Sequence, residues 1–358
     1  MESLESGVEM SMVKTLVALF SLLAITPAVQ AENILDWLES ASKGNAANHA
    51  AAPADAASLL TLEPKESEMY PHASQDGRHL IVTVTQGKDG LISRRATENG
   101  DPLNVVTDDG RALDSASWHG DSVTFFSERA GGLGLWVRSS DGQGVVRRAK
   151  ELNGQLTQPI LLVDGSVIAV RVEATGKKKS SFQRKYDDFE NWNIPGFKTE
   201  IVHINEHGVE KVLSQGTNPA LSPDGQWVAF SLPVGRSFHL YMMRTDGSEL
   251  TQLTDERSVD VQPTWSTDGK WIVFTSNRAL ADMRKPKNNN WDIWAIDREG
   301  RSLSQLTMDG ARDGAPTVAA NGRVYFHSDR KISKEMKEMR QVKGSTGKFH
   351  IWSIPMVK

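Results

Sequence analysis

The 358-residue chain contains no cysteine, which excludes disulfide staples, thiolate zinc sites and cysteine nucleophiles. It has little net charge: 41 basic against 45 acidic residues leave −4, so no global field steers it toward nucleic acid. Aromatic residues are only 7% of the chain, but ten are tryptophan, and that supply of large apolar side chains argues against disorder. A mean hydropathy of −0.41 excludes a polytopic membrane protein. Long apolar runs are missing too, with one exception. Behind Lys14 runs Thr15 to Ile25, then Pro27 and the small-residue end Ala28-Val29-Gln30-Ala31. That order predicts a secretory signal cleaved after Ala31, its core too short to span a bilayer. Glu2, Glu5 and Glu9 are foreign to a basic leader, so translation is expected to start at Met10 or Met12. With no lipid-accepting cysteine, the mature protein is expected to be periplasmic and unanchored. Residues 32–56 are Ala-rich after a short amphipathic stretch, Ile34 to Leu38, and predict a flexible tail.

Signatures of catalysis are equally sparse. There is no Gly-x-Ser-x-Gly nucleophile elbow and no phosphate-binding loop. The nine histidines include no pair at i, i+2 or i, i+3, and His203 and His207 straddle a strand and its turn rather than sharing a helix face. His203, His239 and His350 fall in or beside strands, where polar strand positions are the expected reading. No catalytic residue, metal ligand or cofactor is expected.

What the chain does have is a repeat. Asn218-Pro219-Ala220-Leu221-Ser222-Pro223-Asp224-Gly225-Gln226-Trp227-Val228-Ala229-Phe230-Ser231 recurs as Gln262-Pro263-Thr264-Trp265-Ser266-Thr267-Asp268-Gly269-Lys270-Trp271-Ile272-Val273-Phe274-Thr275. Weaker copies begin at Tyr70-Pro71, Ala116-Ser117, Gln158-Pro159 and Ala315-Pro316. The turn glycines, Gly77, Gly120, Gly165, Gly225, Gly269 and Gly322, mark six copies about 44 residues apart, with two insertions. Each copy predicts four short antiparallel strands, a to d, joined by Asp-Gly or Asn-Gly turns. Such a unit cannot bury both faces alone, and six stacked radially form an all-β, six-bladed propeller. The sixth copy stops after strand c, near Trp352 to Ile354. Strands d end in Leu/Val-Thr pairs (Val106-Thr107, Leu253-Thr254, Leu306-Thr307), and the same ending, Leu60-Thr61, sits ahead of the first copy. Ser58 to Leu62 is therefore predicted to supply the missing strand of the last blade, giving a propeller over 57–358.

Ser-Pro-Asp-Gly with Val-Ala-Phe-Ser, Phe-Thr-Ser-Asn-Arg and Phe-His-Ser-Asp-Arg resemble the propeller domain of the TolB family, over about residues 57–358. The resemblance implies a periplasmic protein with envelope partners such as lipoproteins or inner-membrane complexes. Only residues 32–56 separate the expected cleavage site from the closing strand. TolB's N-terminal α/β domain, and its contacts, are accordingly not carried over.

Two features converge on one face. Strand a begins where strand b ends, and three residues before the Pro position sit Glu68, Asp114, Asp260 and Asp313. At the ends of strands b sit Arg129, Arg278 and Arg330. Acid and arginine co-occur in blades 2, 5 and 6, which predicts Asp–Arg pairs around the channel mouth. Glu68, read as having no arginine partner in its own blade, is the expected free carboxylate, available to a cation or a partner's charged groups. The b–c insertions of blades 3, 5 and 6 (173–200, 277–291, 329–349) leave on the same face with seventeen basic and nine acidic residues. Lys177, Lys178, Lys179, Arg184 and Lys185 lie beside Tyr186, Phe189, Trp192 and Phe197, and Lys331 to Arg340 predicts a short helix. Basic loops with interleaved aromatics suit an acidic protein surface, an anionic glycan or lipid headgroups. The expectation is a monomeric, non-enzymatic binding or scaffold protein. The alternative is a metal-dependent propeller lyase or lactonase with its site at the channel mouth.

Overall fold

The computed structural model describes residues 55–86, 89–109, 116–176, 189–280 and 290–356. The expected leader and Ala-rich tail fall outside these residues. The described chain forms six four-stranded antiparallel sheets. Blade 1 is Ser67–Ala73, His79–Gln86, Asp89–Ala96 and Pro102–Thr107. Blade 2 is Ser117–His119, Ser122–Ser127, Gly134–Ser139 and Arg147–Glu151. Blade 3 is Leu156–Leu161, Val167–Ala174, Phe197–Ile204 and Glu210–Gln215. Blade 4 is Thr217–Leu221, Trp227–Val234, Ser237–Arg244 and Thr251–Gln252. Blade 5 is Asp260–Trp265, Trp271–Ser276, Asp292–Asp297 and Leu303–Gln305. Blade 6 is Asp313–Val318, Arg323–Ser328 and His350–Pro355, closed by the N-terminal strand Ser58–Leu59.

The closure has the expected register, with Ser58 opposite Ser353 and Leu59 opposite Trp352. Beyond the strand, Leu60 N–H and Thr61 N–H both donate to Ile351 O, at 2.8 and 3.2 Å. The repeated Leu/Val-Thr ending now has a physical reason. Thr61, Thr254 and Thr307 Oγ1 accept the N–H of Ile351, Leu240 and Ile293 at the start of strand c. The hydroxyl thereby satisfies a backbone donor where the ladder stops.

Turn chemistry follows the sequence closely. In Ser222-Pro223-Asp224-Gly225, Ser222 Oγ donates to Asp224 at 2.5 Å and accepts from Trp227 N at 2.9 Å, while Gly225 takes φ +70°. A side chain at that φ would be strained. Strands a, the inner edge of every blade, carry Pro71, Pro159, Pro219, Pro263 and Pro316. An edge strand facing the channel has no neighbour to accept a proline's missing N–H, so proline leaves no orphan donor there. Immediately before each of those prolines stands a residue with left-handed backbone: Tyr70, Gln158, Asn218, Gln262 and Ala315, φ 47 to 54°. Each sits in a β-bulge that breaks the a–b register. The bulge frees an N–H, and the preceding blade collects it: Gln158 Oε1 from Asn218 N, Gln262 Oε1 from Ala315 N, and His327 Nδ1 from Tyr70 N. A collar of side-chain bonds thus ties the blades around the axis.

Between blades the core is apolar; the strand-b residues Phe125, Phe230, Phe274 and Phe326 are buried. The expected helix in the blade 6 insertion is α1, Lys334–Met339, capped by Ser333. Just past it, Arg340 donates to Leu59 O and Leu60 O, at 3.2 and 2.9 Å, clasping the closing strand. Among the described residues no helix is long and apolar enough to cross a membrane.

Candidate functional site

Of the charged groups expected at the channel mouth, the acids that are described turn out to be buried. Blades are radial, so strand a turns its backbone edge toward the axis and its side chains toward neighbouring blades. Glu68, Asp260 and Asp313 are accordingly without exposed surface, and none of them, nor Arg129, Arg278 or Arg330, lines the central cavity. Asp114 lies outside the described residues. The pairing itself is present: Arg278 Nη2 lies 2.7 Å from Asp260 Oδ2 and Arg330 Nη2 2.6 Å from Asp313 Oδ2. Arg129 pairs with Asp109 at 3.1 Å. Glu68 is not free, which corrects the expectation for it. Arg95, from strand c of the same blade, lies 3.1 Å from its Oε1. Thr61 donates to its Oε2 at 2.6 Å, and His350 Nδ1 lies 3.3 Å from that oxygen.

Each of these arginines meets an acid that the sequence reading did not include. Glu63, Asp109, Glu256 and Asp309 lie 2.6, 3.1, 3.8 and 3.0 Å from Arg95, Arg129, Arg278 and Arg330 respectively. All four stand two places after a strand-ending Thr (Thr61, Thr107, Thr254, Thr307), a spacing visible in the sequence. The arginines of blades 2, 5 and 6 also lie over a strand-b Phe and a strand-c Trp, at 5.3–5.4 Å. These ion-pair clusters belong to the packing between blades.

The seam of blades 5 and 6 carries an excess of acid. Asp55 meets Arg330 through both oxygens, at 2.7 and 2.8 Å, and Asp309 and Asp313 share the same guanidinium. Burial tends to raise the Asp55 carboxyl, but its bonds to Arg330 outweigh that and hold it low. Nearby Asp292 is fully buried, and its Oδ2 accepts from Asn290 and Gln305, at 3.0 and 3.1 Å. Burial, then the Asp313 charge, pushes it up to about 9. At neutral pH it is therefore a neutral acid.

The basic loop residues Lys177, Lys178, Lys179, Arg184 and Lys185 lie outside the described residues. Trp192, expected to meet a partner, is instead 4% exposed. With Phe189 it joins a buried cluster containing Met69 of blade 1, Val261 and Trp291 of blade 5, and Phe349 of blade 6. The Phe189 ring packs edge-on against His327 and stacks on Phe349, at 5.5 and 6.0 Å. Blade 6 lies opposite blade 3 in a six-membered ring, so this insertion crosses the axis and caps the channel. Gly314 makes room for it, since a Cβ there would come within 2.6 Å of Phe189. His327, sealed beneath, is pushed down to about 3 by burial and then by the Arg312 charge.

Under the cap lies a cavity of about 880 Å³. Its closed end holds the amides of Gln158, Asn191, Asn218 and Gln262, its wall the strand-a prolines, and its far end the a–b turns, among them His119 and Asp164. Asn191 accepts from Gln262 Nε2 at 3.0 Å. Among the described residues no three His, Asp or Glu converge as a metal site would require.

Fold and cavity define a six-bladed propeller with one end of its channel stoppered. Its repeats are of the TolB type: residues 185–282 match the family described as the TolB beta propeller domain. The chain is 24% identical over 217 residues to the protein TolB homolog of Chlorobium luteolum, covering 58% of this chain and 45% of that one. It is 26% identical over 137 residues to the Tol-Pal system protein TolB of Francisella tularensis subsp. mediasiatica, covering 37% and 30%. These matches span less than half the length of either relative. A solved structure of a putative TolB from Agrobacterium tumefaciens superposes with a TM-score of 0.50 at 18% identity, covering 69% of this chain and 84% of that one. At that identity the likeness speaks for fold alone.

Proposed function

We propose that this protein is a periplasmic binding or scaffold propeller that engages an acidic envelope partner through its b–c face. One observation carries the reading: three insertions leave one face of a rigid ring, and the first of them holds Lys177, Lys178, Lys179, Arg184 and Lys185 within nine residues, while Arg95, Arg278 and Arg330 are paired off between blades. Charge on loops remains available for recognition, and a rigid scaffold holds such loops without needing them for its core. The named Tol-Pal system relative and the expected leader support an envelope setting. The cap refines the surface involved: Phe189 and Trp192 belong to the fold, and the basic run before them is the docking element.

The test is crosslinking to an envelope fraction with the full chain and with a charge-reversed form, Lys177→Glu, Lys178→Glu, Lys179→Glu, Arg184→Glu and Lys185→Glu. The wild-type protein should yield salt-sensitive adducts with acidic envelope proteins, and the reversed form should lose them at unchanged thermal stability. Identical adducts from both would defeat the proposal.

A further inference from the structure

The capped cavity is a blind chamber entered from the a–b turn face, opposite the ends of strands b. Among the described residues the sole carboxylate, lysine or arginine on its lining is Asp164, at the open end, and the imidazoles there are His72 and His119. The closed end presents side-chain amides. One of them is unsatisfied: Asn218, 8% exposed, has no partner for Oδ1 among the described residues. Ser231, on strand b opposite the neighbouring Thr217, is also buried, and its Oγ has no partner among the described residues. Blade 5 closes the equivalent place, because Thr275 Oγ1 donates to Gln262 Oε1 at 2.9 Å. Asparagine is one methylene shorter than glutamine, and blade 4 leaves its acceptor open. A buried acceptor without a partner calls for a physical explanation, and here, unlike elsewhere in the fold, the open acceptor stands on the wall of a cavity.

We infer that this chamber binds a short uncharged oligosaccharide, entering end-first from the turn face, with a terminal hydroxyl donating to Asn218 Oδ1. The inference is independent of the partner proposed for the b–c face. Four observations favour that chemistry. The volume lies within the roughly 300–1,000 Å³ usual for small-molecule sites. A chamber closed at one end admits a chain by its tip. A peptide tip carries an ammonium or carboxylate, and no counter-charge awaits it at the amide end, so its desolvation is uncompensated. A sugar tip is neutral and rich in hydroxyls, which amides match as donor and acceptor. The proline rings along the wall offer apolar surface to the C–H faces of a pyranose.

Titration calorimetry on the full chain, with chitotriose and cellotriose as probes, tests this. Digalacturonate and trialanine with free termini serve as charged counterparts. At least one neutral trisaccharide should bind in the millimolar range or tighter, and the charged probes should not. Asn218→Gly keeps the left-handed backbone and removes the acceptor, so affinity should fall about tenfold. Thr264→Phe, on the cavity wall, should abolish binding, with the melting temperature of each variant reporting that the fold persists. Failure of both neutral sugars to bind would overturn the inference. So would equal binding of the charged probes, or unaltered binding by both folded variants.

Discussion

Replacing Asp292 by asparagine should stabilise the protein, and only at high pH. Asp292 sits without exposed surface in a seam already holding Asp55, Asp309 and Asp313 around one guanidinium. Its Oδ2 accepts two amide donors while Oδ1 has no partner among the described residues, so the proton belongs on Oδ1. Burial and the Asp313 charge raise it from 3.8 to about 9. The folded state therefore holds a proton that the unfolded chain has released between these two values. Stability must fall as pH rises through that window, by up to about 1.4 kcal/mol per unit. At pH 8 the accumulated cost is on the order of 5 kcal/mol as a ceiling, before relaxation of the seam. Asp292→Asn keeps an oxygen for both donors and removes the titration. Urea unfolding at pH 5 and pH 8 should give a variant at least about 2 kcal/mol more stable at pH 8 and close to wild type at pH 5. A variant no more stable at pH 8, or one with the wild-type pH slope, would refute the reasoning.

Two further outcomes follow from the packing. Asp55→Ala removes a bidentate partner from Arg330 and the acceptor of Met308 N–H. It should cost about 2–3 kcal/mol in denaturant unfolding, the lower part of the range for breaking a buried pair, because Asp309 and Asp313 remain. Trp192→Ala empties the cap and should cost about 3 kcal/mol or more; a loss below 1 kcal/mol would mean that the cap is not packed.

Much of the fold was legible because its signals are local. A Ser-x-Asp-Gly turn needs residues within five places of one another, and repetition at a fixed spacing counts the blades. The Leu60-Thr61 ending identified the closing strand because the same pair ends strands elsewhere, for a reason the Thr61 hydroxyl makes plain. The candidate site was less legible. Position along strand a located Glu68, Asp260 and Asp313 at the right level, but not the direction of their side chains, which depends on blades being radial. Arg95 was overlooked because it sits on strand c and reaches Glu68 across the blade. Trp192 stands beside lysines and reads as a surface aromatic, yet its partners, Met69 and Phe349, lie more than a hundred residues away in either direction. The cavity's open acceptor was invisible, since it depends on Asn218 being compared with Gln262 in three dimensions.

The absence of native cysteine makes the most direct measurement of the stoppered channel possible. Single thiols introduced as Thr264→Cys, on the cavity wall, and Val261→Cys, beneath the cap, can be titrated with a small neutral maleimide. Labelling should be fast at position 264, no faster than global unfolding at 261, and accelerated at 261 when Trp192→Ala is added. Comparable rapid labelling at both positions in the otherwise unaltered chain would show the channel open on the b–c face and contradict the cap.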